Sequence, residues 1–274
     1  MSLRINNNVA ALNSYRNLAF TSVQMGKSLE KLSSGFRINR AADDAAGLVK
    51  SESLRTEING NKAAIKNAQD GISFVQTAEG ALGEVHAILQ RMRELAVDAA
   101  NTATTDGVAQ QAEVAELLEE VTAIGTRTTF AGNAVFADYT STNLTFHIGA
   151  GSADQLSISG DYTLTASSLF GVNVASIDLT SSATSAIGLL DSAIAAVSSV
   201  RSEFGATQNR LEHTINNLSV AVENLTASES RIRDTDMAME MANFTRHQIL
   251  TQAGTSMLAQ ANQVPQNVLQ LLGR

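Results

Sequence analysis

The four histidines, His86, His147, His213 and His247, are the first place in this chain to look for chemistry. No two of them stand at metal-ligand spacing, and no His-Glu-x-x-His run occurs, so a hydrolytic zinc centre has no ligand set. Asp234 and Asp236 come nearest to a carboxylate pair. At the start of a helical pattern, acids are better explained by the positive end of the helix dipole than by acid–base work. No glycine-rich phosphate loop follows a strand pattern. Cysteine is absent, which excludes a disulfide framework and a thiolate metal site. No catalytic residue, metal or cofactor is expected, and the chain reads as something other than an enzyme.

The elements carrying these residues are helices. From Ile187 to Ile232 the apolar residues Leu190, Ile194, Val197, Phe204, Leu211, Ile215, Leu218, Val222 and Leu225 recur in steps of three and four, or sums of them. Only Arg201, Gln208 and Glu229 interrupt the series, which is a heptad seam without proline. At about 1.5 Å per residue such a helix is roughly 70 Å long. A compact globule of this length has a radius of gyration of only about 19 Å, so the pattern predicts an elongated rod. A second helix is expected from Ala45 to Ala100, with Val75, Ala78, Leu82, Val85, Leu89, Met92 and Ala96 on one face and Ile58, Ile65 and Ile72 leading in. Val75, Leu82 and Leu89 are expected to pack against Ile194, Val197, Leu211, Leu218 and Leu225, with Leu218 fully buried. Gly60, Gly71, Gly80 and Gly83 lie inside the second helix, each at a cost of about 1 kcal/mol relative to alanine that close backbone packing would offset.

Composition agrees with helical seams. The 274 residues are 44% hydrophobic but only 4% aromatic, with a single proline and no tryptophan, which suits seams of small aliphatic residues rather than a pocketed domain. No unbroken run of 18 apolar residues occurs, so no membrane span is expected. The first residues lack the apolar stretch of a secretory signal. The net charge of −8 is uneven. Residues 1–42 carry six basic side chains against one acidic, whereas residues 43–234 carry 11 against 24. An acidic middle disfavours nucleic acid.

The two ends read differently from the middle. Ile5, Val9 and Leu12 start one stripe, and Leu18, Met25, Leu29, Leu32 and Phe36 form a second, out of step by a stammer-like slip. From Met237 to Leu272, one stripe runs Leu250, Gly254, Met257, Ala261, Val264, Val268, Leu271, with Leu258, Leu269 and Leu272 on another. One stripe can pair with one partner helix, and the second must find another or stay wet. The ends are therefore expected to form an assembly domain, through Ile5, Val9, Leu12, Leu29 and Leu32 on one side and Leu250, Met257, Leu258, Val264, Val268, Leu271 and Leu272 on the other.

Between the helices, a shorter helix is expected over Ala109–Gly125. Short strands are expected at Phe130–Val135, Leu144–Ile148 and Leu156–Ile158, separated by glycine-containing turns. The Ser- and Thr-rich stretch Thr163–Ser185 reads as exposed loop and strand, with Ser181, Ser182 or Thr184 capping the long helix. The fold class is mainly α, a long antiparallel coiled-coil-like helical rod with a small β-hairpin region at about 129–180. The domains are residues 1–42 with 235–274, an inner pair of terminal helices, and residues 43–234, an outer helical rod.

Six segments carry a resemblance: LSSGFRINRAADDAAGL from Leu32, NAQDGISFVQTAEGAL from Asn67, QRMRELAV from Gln90, NRLEHTINNLSVAVENL from Asn209, ESRIRDTDMAMEMANFT from Glu229 and LAQANQVPQNVLQLL from Leu258. In this order the chain resembles bacterial flagellin over almost its whole length, departing at Val49 and Lys50, where the family commonly has Ala-Ile. The resemblance implies a short-form structural subunit that polymerises into the helical flagellar filament for motility, with a hook–filament junction protein of the same family as the alternative. It implies export through the flagellar type III apparatus to an extracellular flagellum. The partners implied are other copies, the filament cap, the hook-junction proteins and an export chaperone on the C-terminal helix. It further implies contact with a flagellin-sensing Toll-like receptor through Arg91, Leu95 and Glu113, with Asp98 standing where recognised relatives commonly have Gln.

Overall fold

A computed structural model describes residues 7–101, 106–139, 143–165 and 167–272, with side chains described as far as residue 264. Helix α1 spans Val9–Ser34; the Asn8 side chain accepts a hydrogen bond from the Ala11 amide at its start. Gly35, at φ 75°, ends it in the left-handed region that a Cβ would strain. Helix α2 (Ala45–Ala99) and helix α3 (Val108–Arg127) follow. Six short strands come next: β1 (Thr129–Phe130), β2 (Asn133–Ala134), β3 (Leu144–His147), β4 (Gln155–Ile158), β5 (Leu164–Thr165) and β6 (Ser168–Leu169). They pair as three separate antiparallel hairpins, with Leu144 opposite Ile158 and His147 opposite Gln155 in the longest. Helix α4 (Ala183–Arg233) and helix α5 (Met237–Leu272) complete the chain.

The chain divides into two compact units, Met1–Thr56 with Asn224–Arg274 and Glu57–Glu223. The divisions fall inside α2 and α4, whereas the expected boundaries near residues 42 and 235 are the turns between helices.

In the Glu57–Glu223 unit the core is built on two heptads. Along α2 the buried positions include Phe74, Val75, Ala78, Leu82, Val85, Leu89, Met92, Leu95, Ala96 and Ala99. Along α4 they are Ala186, Leu190, Ala193, Val197, Val200, Phe204, Thr207 and Leu211, a strict alternation of four and three. This corrects the expected seam. Leu190, Val197, Phe204 and Leu211 hold one set of positions as read. The other set is one residue earlier, so Ala193 takes the place assigned to Ile194, which is half-buried. Arg201 and Gln208 do not interrupt anything, because Val200 and Thr207 occupy the seam. Small residues were passed over because a search for large aliphatics finds the flank instead.

Two further expectations fail in this unit. Phe130–Val135 is not one strand but a hairpin, reversed by Ala131 (φ 51°) and Gly132 (φ 85°). The stretch from Thr163 to Ser185 is not an exposed loop: Leu164, Leu169, Val174, Ile177 and Leu179 are all buried in the core. These anchors are spaced among Ser, Thr, Asn, Asp and Gly residues, which leaves the segment polar on average while every anchor is inserted. Before α4, Asp178 organises the turn. One of its carboxylate oxygens accepts from the Thr180 amide and hydroxyl and from the Ser181 amide, and the other from the Ser181 hydroxyl. These donors hold its carboxyl well below the usual range.

By length and composition α4 is long and apolar enough to cross a membrane, although no unbroken apolar run marks it. Its Ala186–Leu211 stripe is packed in the protein core instead. The helix glycines split into two kinds. A Cβ on Gly60 would come within 2.9 Å of the Ala150 side chain, and one on Gly71 within 3.2 Å of Leu211, so both hold a close approach. Gly80 and Gly83 face open space.

Candidate assembly surface

In the Met1–Thr56 and Asn224–Arg274 unit, α1 packs along α5. The pairing is antiparallel. The Asn8 side-chain amide donates to the Ala261 carbonyl at 2.7 Å, Leu18 meets Gly254, and Phe36 bridges Asp234. The shielded positions of α1 include Ala11, Ser14, Leu18, Thr21, Met25, Ser28 and Leu32, again in alternating threes and fours. Those of α5 include His247, Thr251, Gly254, Leu258 and Ala261. The contact therefore sets small and hydroxyl side chains between a few large ones. Among the described residues of α1 only Ser28 is fully buried.

Many of the large apolar side chains point elsewhere. Val9, Leu12 and Leu29 are 58%, 60% and 56% exposed, and Leu250, Met257 and Val264 are 48%, 62% and 48% exposed. This corrects the reading of both ends. Among the described residues α1 has no phase slip: Leu18, Met25 and Leu32 of the expected second stripe lie on one seam with Ala11, Ser14, Thr21 and Ser28, whereas Val9 and Leu12 of the first stripe lie off it. The expected α5 stripe is two faces. Gly254 and Ala261 turn to α1, while Leu250, Met257 and Val264 turn away. Leu32 and Leu258 are half-buried at the pairing. Ile5 lies outside the described residues, as do the side chains of Val268, Leu271 and Leu272.

The turns at the base of this pair are tied by charge and backbone. The Arg37 amide donates to the Arg233 carbonyl at 2.7 Å, and the Thr235 amide to the Gly35 carbonyl at 2.9 Å. The Arg37 guanidinium donates to the Ile232 carbonyl at 2.6 Å. Arg233 stacks over the Phe36 ring at 5.0 Å and pairs with Glu52 at 2.6 Å, which lowers the Glu52 carboxyl. Asp43 accepts from the Asn39 and Arg40 amides, and these bonds lower its carboxyl as well. Sequence reasoning missed this joint; the signal was the clustered arginines of Gly35–Arg40 and Arg231–Arg233. Val49 and Lys50 are both exposed.

The remaining expected positions lie in two places. Val75, Leu82, Leu89, Val197 and Leu211 are fully buried. Leu218 is not; it is half-buried and lines an open cleft of about 540 Å³ with Asn61, Ile148 and Ala150. The hairpin tip, rather than the Val75–Ala96 stretch, is its neighbour, because the regular core ends at Leu211. Leu225 is half-buried and belongs to the other unit. Arg91 binds Glu113 at 2.8 Å and reaches Glu94 at 3.5 Å, and the Glu113 contact raises its pKa. Leu95 is only 7% exposed and belongs to the core. The Asp98 carboxylate accepts from the Gln110 side chain at 2.7 Å. No group of three or more His, Cys, Asp or Glu that could hold a metal occurs among the described residues.

Two family models match the chain: the bacterial flagellin N-terminal helical region over residues 5–141 and the bacterial flagellin C-terminal helical region over residues 187–272. The chain belongs to the bacterial flagellin family. It is 49% identical to flagellin of Bacillus subtilis (strain 168), over 98% of this chain and 100% of that protein. It is 51% identical to flagellin of Halalkalibacterium halodurans, over 98% and 99%. It is 46% identical to the flagellar filament 33 kDa core protein of Treponema phagedenis, over 98% and 99%. A structure described as that of a flagellar hook-associated protein from Vibrio parahaemolyticus matches with a TM-score of 0.56, over 70% of this chain and 100% of that one, at 13% identity, which shows the fold alone. The flagellin is a structural subunit of the flagellar filament, and the junction-protein alternative is not favoured.

Proposed function

We propose that this flagellin polymerises through the outward faces of α1 and α5. The observation that carries the reading is the exposure of large apolar residues on this helix pair: its seam mixes small side chains with a few large ones, and Val9, Leu12, Leu29, Leu250, Met257 and Val264 stay wet. At roughly 25 cal/mol per Å² of apolar surface removed from water, covering Val9, Leu12, Leu29, Leu250, Met257 and Val264 against neighbouring copies favours assembly. In this reading the terminal-helix unit forms the filament core and the Glu57–Glu223 unit lies outside it. The chain reaches an extracellular flagellum by type III export and has no enzymatic activity.

The filament cap, the hook-junction proteins and an export chaperone on α5 follow as partners from family membership. A Toll-like receptor contact is supported by the exposed Arg91–Glu113 pair, while Leu95 contributes to it only after local movement, since it sits in the core. The deciding experiment is seeded polymerisation of purified protein followed by electron microscopy. Single charges at Leu12, Leu250 or Met257 are expected to abolish filaments while leaving the melting of the Glu57–Glu223 unit unchanged. Normal filaments from all three variants would overturn the reading.

A further inference from the structure

The α5 helix concentrates the exposed sulfur of this protein. Met237, Met239, Met241 and Met257 are 47%, 65%, 50% and 62% exposed, whereas Met92 in the core is fully buried. The chain contains no cysteine, so thioethers are its only readily oxidised sulfur. Their placement is specific. Met239 and Met257 are 18 residues apart, which is five turns of helix, so they share one face. Leu250 and Val264 lie on that same face by heptad spacing, and both are exposed. Met237 and Met241 share another side of the first turn.

We propose that these α5 methionines are a modification site through which hydroperoxides withdraw the free subunit from assembly. The inference rests on the reading of α1 and α5 as the assembly surface. A thioether lone pair attacks one peroxide oxygen and forms the S–O bond as the O–O bond breaks. The sulfur is oxidised by two electrons to the sulfoxide, and the other oxygen leaves with the transferred proton as water or an alcohol. The product replaces a flexible apolar side chain with a strongly polar one on a surface that must be dehydrated to pack. The change is reversible, because sulfoxide reductases restore the thioether.

The experiment treats free full-length subunit and preformed filament with dilute hydrogen peroxide, and maps sulfoxide at each methionine by peptide mass spectrometry. Treated and reductase-repaired subunits are then assembled on seeds. In the free subunit, the four α5 methionines are expected to gain oxygen well before Met92. The critical concentration for assembly is expected to rise by about tenfold, equivalent to about 1.4 kcal/mol, and reductase repair is expected to restore it. A variant with all four changed to leucine is expected to assemble to the same extent with and without peroxide, whatever its untreated level; if it does not assemble, the repair arm decides.

Oxidised subunit that assembles like the untreated protein overturns the proposal, as does Met92 reacting as fast as the α5 set. Protection of Met239 and Met257 in the filament, together with normal assembly of oxidised subunit, would leave the assembly reading intact and remove this inference alone. Equal reactivity of these two residues in filament and free subunit would remove the assembly reading itself.

Discussion

The Glu57–Glu223 unit and the α1/α5 pair use the same heptad spacing for opposite ends. In the first, the stripes that face inward carry Leu82, Leu89, Leu190, Val197, Phe204 and Leu211, all buried, and the hairpin segments add their own anchors. In the second, the inward stripes mix Ala11, Ser14, Thr21, Ser28 and Gly254 with the half-buried Leu18, Met25, Leu32 and Leu258, and Val9, Leu12, Leu29, Leu250 and Met257 face away. A seam's spacing sets which residues meet; its side-chain volume sets whether the meeting completes a fold. The first unit buries its large apolar side chains within itself. The second leaves its apolar surface to be covered by something else, and the ordering cost of about 1–2 kcal/mol per residue of backbone is offset only when it is covered.

Deleting one side of this comparison gives the largest expected effect. Removing residues 1–42 and 237–274 is expected to leave a soluble, cooperatively melting helical protein that forms no filaments under the electron microscope even with seeds. Filaments from that truncated protein would erase the distinction between the two regions.

Truncating single leucines tests it more finely. Leu211→Ala is expected to cost about 2–5 kcal/mol in chemical denaturation, the range for a buried leucine. Leu218→Ala is expected to cost less, about 1 kcal/mol, because its side chain is already partly wet. Leu12→Ala is expected to leave the monomer's stability within about 0.5 kcal/mol, and to show itself only as reduced assembly. If Leu218→Ala costs as much as Leu211→Ala, the regular core extends further along α4 than described.

The glycines of α2 sharpen the contrast within one helix. Gly80→Ala and Gly83→Ala are expected to stabilise the monomer by about 0.5–1 kcal/mol each, since a Cβ meets nothing there. Gly60→Ala is expected to destabilise it by forcing Ala150 aside. Thermal melting of the three variants reads the sign directly. A stabilised Gly80→Ala monomer that assembles poorly would identify that open space as one that a neighbour fills.

The smallest expected effect is electrostatic. The carboxyl of Asp178 is depressed by the Ser181 hydroxyl, then by the Thr180 hydroxyl and amide. A depressed folded value means stability that is present above the ordinary value of 3.8 and lost as pH falls through the folded one. The melting-temperature gap between the parent and Asp178→Ala is therefore expected to be constant at neutral pH and to shrink as the pH drops below 3.8. A gap that widens on acidification would show that the turn before α4 is held by something other than this carboxylate.

Much of the architecture was legible because helix periodicity is a local property of the chain. α2, α4 and α5 fall close to where that periodicity put them. Leu12, Leu250 and Met257, read from the sequence as apolar residues in need of a partner, are exposed. On α1 the stripe through Leu18, Met25 and Leu32 was found, but the Ala11, Ser14, Thr21 and Ser28 positions that complete it were not, since pattern searching scores leucine above serine. The Arg233–Phe36–Glu52 joint and the Arg93–Asp191 pair at 2.6 Å join residues far apart in the chain, and no local signal announces them.

The sequence by itself determined the helical class, the order of elements, the absence of thiol chemistry and membership in the flagellin family, because these depend on residue type and near-neighbour spacing. Only the tertiary structure decided which of two adjacent heptad positions faces the partner helix, as with Ala193 over Ile194 and Val200 over Arg201. It also turned the polar stretch after Thr163 into part of the core. The physical reason is the same in each case. Burial is settled by what packs opposite a residue, and a small side chain opposite a close backbone is buried more completely than a large one beside it.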